Sequence, residues 1–487
     1  MLAAPVALAT LLSVPVSGAT SPAPTGGATP AGSSSAQCTN LKRLKVPGAE
    51  KQKVACLDDL TTAGTLRTGH TQLDDWATLH APGTVNPTGV PGVQIDGYFR
   101  DTSTFNTYNG WNHDSQFVIR MPADWNGGLV VSGAPGVRKQ YANDFAISDW
   151  VLSKGYAFAS TDKGNNGLLF FKDQTTPGGA IAEGNHRMTE LTRAAKKAVE
   201  RHYSKKIAKT YAYGVSNGGY LVRWQLENHP ELYDGGVDWE GVLYSKADNA
   251  LGFFPPALQN FPAAARGDQK ARQAILNAGF TPESEFLWPF HYQWYWDGTQ
   301  RLYREVFDPS FDGDTFAPDG TPGKPFCTSG PGCDTFYDLS TRPGAQAAIA
   351  RPDVRLTGKI GKPLITIHGV EDTLLPITRV SDAYAGMVKR AGKAHLHRYY
   401  RFEDANHFDG LRQLFPQVRP LLPCSRTSFT ALESWTATTA RRHKHDLTAQ
   451  DSPFRRRGNT APPPSATLAA PTSGDVLNTC SLTAGAR

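Results

Sequence analysis

The chain has 487 residues, enough for two to four domains at roughly 100–200 residues each. Hydrophobic residues make up 39%, aromatic residues 10% and charged residues 19%, an ordinary core-forming content that excludes a disordered chain, a coiled coil and a collagen. The formal net charge is +6, but residues 441–457 carry six Arg or Lys against two Asp. The basic excess is therefore local and argues against a nucleic-acid-binding body.

No charged residue precedes Lys42. Leu2 to Val16 form an apolar run, short of the ~20 residues a membrane span needs. Ser17, Gly18 and Ala19 follow as a signal-peptidase site would require. Residues 1–19 are thus expected to be a signal peptide, although no positive charge leads the run. Residues 20–36, almost all Ser, Pro, Ala, Gly and Thr, read as a flexible linker. No later segment is long and apolar enough to span a bilayer, so the expectation is a secreted protein without a membrane partner.

Six cysteines, Cys38, Cys56, Cys327, Cys333, Cys424 and Cys480, read as disulfides in a secreted chain, with 15 connectivities open. Nearest-neighbour pairing is the simplest: Cys38–Cys56, Cys327–Cys333 and Cys424–Cys480. No Cys or His cluster has zinc spacing, so no metal and no cofactor is expected.

Gly (47) and Pro (35) are in excess, which favours a loop-rich α/β or β-rich body over a helical bundle. Val93–Tyr98 and Gln116–Arg120 read as early strands. Gly128–Ser132 and Tyr156–Ser160 are short, apolar and bounded by Gly, as buried parallel strands are. Met188, Leu191, Ala195 and Ala198 recur at helical spacing. A strand over Thr210–Val215 precedes a helix reaching about His229. Pro363–Ile367 reads as a strand, Val380–Ala391 as a helix, and Tyr399–Phe402 as a last strand. This alternation predicts a doubly wound, mostly parallel sheet with its site at the strands' C-terminal ends. The core would comprise residues 37–248 and 351–440. Residues 249–350, rich in Pro, Gly and aromatic rings, break the alternation and read as an inserted lid. Residues 441–487 read as a basic, Pro-rich tail wrapped loosely on the surface and tied down by Cys480.

Gly214-Val215-Ser216-Asn217-Gly218 is a G-x-S-x-G pentapeptide between a strand and a helix, the setting of a nucleophile elbow. A Ser hydroxyl is a poor nucleophile unless a base takes its proton. His407, just after the last strand, is the best base. His368 is the main rival, but it precedes the expected acid. Asp372, in a polar loop after the strand ending at Ile367, is the best acid, with Glu371 and Asp404 as alternatives. The order Ser216, Asp372, His407 is that of α/β-hydrolases. An oxyanion hole needs two backbone N–H donors. Asn217 should supply one, and Gly133, Ala134 or Gly136 the other. Lid rings Trp288, Trp294 and Trp296 are candidates for the substrate wall, with at least one expected to face the Ser216 cleft. Asp308, Asp312, Asp314 and Asp319 match no EF-hand spacing and read as solvated carboxylates rather than a calcium site.

Gly214–Gly219, Asn406-His407-Phe408-Asp409 followed by Val418-Arg419-Pro420-Leu421, and Pro462-Pro463-Pro464-Ser465 resemble the 3-hydroxybutyrate oligomer hydrolase family. That resemblance implies an extracellular or periplasmic serine hydrolase cleaving short esters of 3-hydroxybutyrate. The large lid before the acid and Ser160-Thr161-Asp162-Lys163-Gly164 are also similar to the tannase and feruloyl esterase family. That family places disulfide-bonded Cys residues before the nucleophile and after the catalytic His, where this chain has Val215 and Phe408. The expected function is a secreted carboxylic-ester hydrolase acting on hydroxyalkanoate or short polyester oligomers. The alternatives are an esterase of plant phenolic esters and, less favoured, a secreted serine peptidase. The expected partner is a small ester substrate.

Overall fold

The computed structural model describes residues 44–76, 78–167, 176–311 and 335–437, most of 462–483, and Cys38, Leu41 and Phe170. The expected signal peptide and linker, Asp312, Asp314, Asp319, the Cys327–Cys333 link and the basic segment 441–457 lie outside the described residues.

Ten strands form one sheet: β1 (Ala49–Leu57), β2 (Gly92–Phe99), β3 (Gln116–Pro122), β4 (Gly128–Gly133), β5 (Ala157–Thr161), β6 (Lys209–Val215), β7 (Gly235–Trp239), β8 (Leu364–Gly369), β9 (His397–Phe402) and β10 (Ala466–Leu468). Their order is β1-β2-β3-β5-β4-β6-β7-β8-β9-β10. The edge from β1 to β5 is antiparallel. From β5 through β4 to β10 every pair is parallel. The exchange of β4 and β5 and the long parallel run make this the α/β-hydrolase fold. Because these strands share a direction, the residues that follow Gly133, Val215, Trp239, Gly369 and Phe402 emerge along one edge of the sheet.

Side chains alternate across that sheet, since successive Cβ atoms point to opposite faces. Leu129, Val131, Ala212 and Leu364 join one core. Val130, Tyr211, Tyr213, Ile365 and Ile367 join the other. Both faces are thus apolar, as helices on both sides require. On the first face lie α1 (Gly179–Tyr203) and α2 (Asn217–Asn228). Met188, Leu191, Ala195 and Ala198 of α1 are buried there, as their spacing predicts.

The inserted region supplies α3 (Ala250–Ala264), α4 (Gln269–Asn277), α5 (Trp288–Trp294) and α6 (Trp296–Phe307). Asp268 caps α4 by accepting from the N–H groups of Lys270 and Ala271. Phe253, Phe254, Ile275 and Trp296 from this region belong to the same apolar cluster as Leu221 and Val222 of α2. Helix α7 (Ser381–Arg390) adds Tyr384 and Val388 to it. On the opposite face α8 (Leu422–Thr436) buries Leu422, Phe429 and Leu432. Each fully buried side chain of this size stabilises the fold by ~1.5–3 kcal/mol. Among the described residues, no helix is long and apolar enough to cross a membrane.

The region expected as a loose tail is more ordered than its composition implies. Ala466, Thr467 and Leu468 pair in parallel with Tyr400, Arg401 and Phe402. Before them, the Tyr400 hydroxyl donates to the Pro463 carbonyl, and the Tyr399 N–H donates to Ser465 Oγ at 2.9 Å. Prolines lack an N–H, but their carbonyls accept freely. Cys480 is bonded to Cys424 on α8, and Cys38 to Cys56 on β1, both pairings as expected from neighbouring positions.

Replacing Cys424 and Cys480 by Ala opens a loop of 56 residues and is expected to cost about 2–4 kcal/mol. Thermal denaturation should show the lowered Tm. An unchanged Tm would mean that pairing with β9 and the Tyr399 and Tyr400 contacts hold β10 without the disulfide.

Candidate functional site

The turn after β6 is crowded. A Cβ on Gly214 would lie 2.4 Å from the Gly218 backbone, and one on Gly218 would lie 2.4 Å from the Gly133 carbonyl oxygen. Only glycine fits this close approach. Ser216 itself adopts φ 58° and ψ −120°, a strained conformation for a residue with a side chain. The strain lifts its hydroxyl above the sheet edge, as a nucleophile elbow does.

The chain after β9 brings His407 to that hydroxyl. His407 Nε2 lies 3.0 Å from Ser216 Oγ. The other ring nitrogen, Nδ1, lies 2.8 Å from Asp372 Oδ2. Asp372 comes from the loop after β8. Its Oδ1 accepts from the N–H groups of Leu374 and Leu375 at 2.8 and 2.7 Å. Its Oδ2 also lies 3.1 Å from His368 Nε2. Burial alone would raise the Asp372 carboxyl, but the His407 charge and hydrogen bonds from both imidazoles hold it well below the usual carboxylate range. Ser216, His407 and Asp372 are thus brought together in hydrogen-bonding order.

The rivals are placed elsewhere. His368 is fully buried, with Nδ1 2.7 Å from Ser381 Oγ and Nε2 also 2.9 Å from the Leu375 carbonyl. It serves the acid loop rather than the hydroxyl. Glu371 makes no bond to His407. Burial, with Asp404 and Glu283 nearby, pushes its carboxyl up to about 8. Asp308 is paired with Arg342 and accepts from Tyr337.

Among the described residues, one group has metal-ligand geometry: Glu240, His368 and Asp372. The contacts of His368 argue against that use. Its Nε2 faces a carbonyl and a carboxylate, so it carries a proton there and has no lone pair to offer.

Asn217 opens α2, so its N–H has no acceptor within the helix and can act as one oxyanion donor. Its side chain is clasped as well. Tyr303 on α6 donates to Asn217 Oδ1 at 3.0 Å, and Asn217 Nδ2 lies 3.4 Å from the Gly136 carbonyl. The second donor narrows within the three residues the sequence offered. The Ala134 N–H already donates to the Thr161 carbonyl at 3.0 Å. Gly133 is the last residue of β4, in register with Thr161, and its carbonyl faces Gly218. Of the three residues offered by the sequence, Gly136 is left, beyond the strand end at φ 48°.

The tryptophans also divide. Trp288 and Trp296 are 3% and 0% exposed, and their indole N–H groups donate to Ser284 Oγ and the Thr373 carbonyl. Trp296 packs on Phe261, Phe280 and Tyr292. The expected wall role is corrected for these two rings, which form the inserted region's core. Trp294 is half-buried against a cluster of Tyr295, Phe408 and Leu411. Phe408 follows His407 directly, so Trp294 is the ring of the three that packs against the cluster adjoining the candidate base.

Two buried groups here carry no sequence motif. His291 on α5 is held neutral, with burial pushing it down to about 4. Glu240, just after β7, places Oε2 3.6 Å from His407 Nδ1. Their surroundings come from distant segments, so only the fold reveals them.

The prolyl oligopeptidase family matches residues 178–266, a minority of the chain that includes the elbow. A mono(2-hydroxyethyl) terephthalate hydrolase from Piscinibacter sakaiensis is 28% identical over 142 residues, covering 26% of this chain and 23% of that protein. The match thus spans less than a quarter of that relative. Among solved structures, feruloyl esterase B from Aspergillus oryzae aligns with a TM-score of 0.43 at 13% identity, covering 75% of this chain and 82% of that one. A tannin acyl hydrolase from Aspergillus niger aligns with a TM-score of 0.42 at 12% identity, covering 79% and 82%.

The loop bearing Gly136 is anchored by Asp75. The Lys139 N–H donates to Asp75 Oδ1 at 2.8 Å, and Arg138 Nη1 donates to the Asp75 carbonyl at 2.6 Å. Asp75 Oδ2 is buried without a partner. Burial pushes this carboxyl up to about 7, against the opposing Lys139 N–H and Arg138 charge. A carboxyl raised in the folded state favours its protonated form. Its cost to the fold is absent below the ordinary carboxylate pKa near ~4, grows as pH rises, and is complete above about 7. Asp75→Asn, which cannot ionise, is expected to raise Tm over the parent more at pH 8 than at pH 5. An equal shift at both values would show that no such charge penalty exists.

Proposed function

We propose that this protein is a serine hydrolase of carboxylic esters. The observation that carries the reading is the chain of contacts from Ser216 Oγ to His407 at 3.0 Å and from His407 to Asp372 at 2.8 Å, set on a strained elbow. Ser216 Oγ attacks the ester carbonyl carbon while His407 Nε2 takes its proton. Asp372 holds the Nδ1–H tautomer and stabilises the imidazolium. The negative charge on the former carbonyl oxygen is met by the Asn217 N–H and by a donor at Gly136. The tetrahedral intermediate collapses, and His407 returns the proton to the departing alkoxide, releasing an alcohol. Water, activated by the same imidazole, then attacks the acyl-enzyme, frees the acid and restores Ser216.

The proposed substrates are short polyester or hydroxyalkanoate oligomers. The elbow and His407 segments that resemble 3-hydroxybutyrate oligomer hydrolases support this, as does the local similarity to a hydrolase of a terephthalate monoester. One observation favours aryl esters as a second reading. Trp294 stands in an aromatic cluster with Phe290, Tyr295 and Phe408 next to the base, and an apolar acyl group needs such a wall. The two disulfides among the described residues support a secreted location, because such bonds persist in oxidising compartments.

Ser216→Ala and His407→Ala are each expected to lower kcat on an activated ester by on the order of 10⁶, since these groups act as a unit. A fluorophosphonate should label Ser216 in the parent. Labelling of another serine, or a mild loss in either variant, would sink the reading. For the substrate, 3-hydroxybutyrate dimers, methyl ferulate, methyl gallate and terephthalate esters can be compared in Trp294→Ala. The loss in kcat/KM should be much greater for bulky esters than for an acetate ester, because remote binding energy is removed only where it is used. Equal losses would show that Trp294 is structural alone.

A further inference from the structure

Glu240 is not required by any step above, yet its setting is costly. It is fully buried, at the C-terminal end of β7, between the strands that lead to Ser216 and Asp372. Its backbone has φ 52°, which a residue with a side chain adopts only when its surroundings impose it. The Glu240 N–H is held by the Ile367 carbonyl at 2.9 Å. Glu240 Oε1 accepts from the Gly369 N–H at 2.9 Å. No partner completes a hydrogen bond to Glu240 Oε2, although the Trp239 indole N–H is near enough to favour the charged carboxyl, and Oε2 lies 3.6 Å from His407 Nδ1. An unpartnered buried carboxyl oxygen costs the fold free energy, and this one is aimed at the nitrogen that Asp372 serves.

We propose that Glu240 is a reserve partner for His407, a second carboxylate that can take the place of Asp372 at Nδ1 when Asp372 is lost. The inference rests on the reading of Ser216, His407 and Asp372 as nucleophile, base and acid. Two carboxylates around one imidazole do not both ionise readily. With Asp372 charged, Glu240 is held neutral by burial and by the Asp372 charge, with Asp409 adding to the effect. In that state Glu240 contributes little to the imidazolium. Once the Asp372 charge is removed, its repulsion disappears, and the His407 imidazolium formed during attack favours ionisation of Glu240. A small rotation then brings Oε2 from 3.6 Å to hydrogen-bonding distance. The charged groups facing Glu240 are Asp372 and Asp409, with His407 and His368 as the titratable bases beside them.

The test compares kcat and KM for an activated ester in Asp372→Ala, Glu240→Gln and the double variant. Glu240→Gln keeps an acceptor for Gly369 and is expected to change kcat by less than about threefold, because the parent already holds this group neutral. Asp372→Ala should lose about 10–100-fold in kcat, far less than the ~10⁴ seen when a triad acid has no substitute. The double variant should fall about 100-fold further in kcat with KM held, reaching the ~10⁴ loss of a site whose acid has no substitute. A merely structural Glu240 would cost the same in both backgrounds. If Asp372→Ala alone already loses about 10⁴ in kcat, or if the double variant is no slower than Asp372→Ala, the proposal is overturned. If Asp372→Ala does not fold, Asp372→Ser, whose shorter uncharged side chain leaves Nδ1 to Glu240, is read by the same criterion. Fluorophosphonate labelling of the parent at Ser216 separates failure of this inference from failure of the functional reading.

Discussion

A single buried carboxylate organises the site. Asp372 has no route to water, and its charge is sustained by two backbone N–H groups and two imidazoles. The second imidazole, His368, extends this support inward. It meets Ser381, which accepts from Arg223, and Arg223 is paired with Asp238 at 2.6 Å with both side chains fully buried. Asp238 in turn accepts from Thr366 on β8 and from the Gly241 N–H after β7. The acid is therefore tied by hydrogen bonds to the strands on which the site is built. Breaking such a buried pair is strongly destabilising, so geometry at the base and stability of the sheet are not separable properties here.

The inserted helices share in this arrangement. Trp296 donates to the Thr373 carbonyl in the acid loop, Tyr303 to Asn217 at the start of α2, and Thr281 to the Val370 carbonyl. These contacts reach the loop bearing the acid and the residue expected to hold the oxyanion. A rigid-body departure of the helices would strand several buried polar atoms at once, each costing on the order of 1–3 kcal/mol. The described part of the insertion thus acts as a brace for the loops.

What was legible in the sequence was whatever one segment determines. The G-x-S-x-G turn could be read because crowding at Gly214 and Gly218 is local. The parallel strands could be read because burial on both faces demands unbroken apolar runs. Asp372 could be chosen over Glu371 only by position, and the structure separates them by hydrogen bonds that the sequence does not contain. Strand β1 was missed because an edge strand with exposed Lys51 and Lys53 lacks an apolar signature. Strand β10 was missed because Pro-rich composition hides a segment whose order comes from Tyr399, Tyr400 and Cys424. The Ala134 donor failed because its N–H completes a bond to Thr161, a pairing fixed only once β4 and β5 lie side by side. Glu240 carries no motif, since its importance lies in three neighbouring loops.

Strand β10 also bears on how the molecule is assembled. It covers the outer edge of β9, the strand from which the His407 loop departs, yet it is encoded after α8 and the intervening segment. During synthesis β9 emerges first, and its unpaired N–H and C=O groups face solvent until the later residues arrive. Open edges of this kind invite pairing with other chains. Closure of the Cys424–Cys480 bond would then end that exposure by holding the late segment near the strand it shields. Oxidative folding conditions should therefore govern the yield of correctly paired protein, as distinct from the activity of molecules already folded.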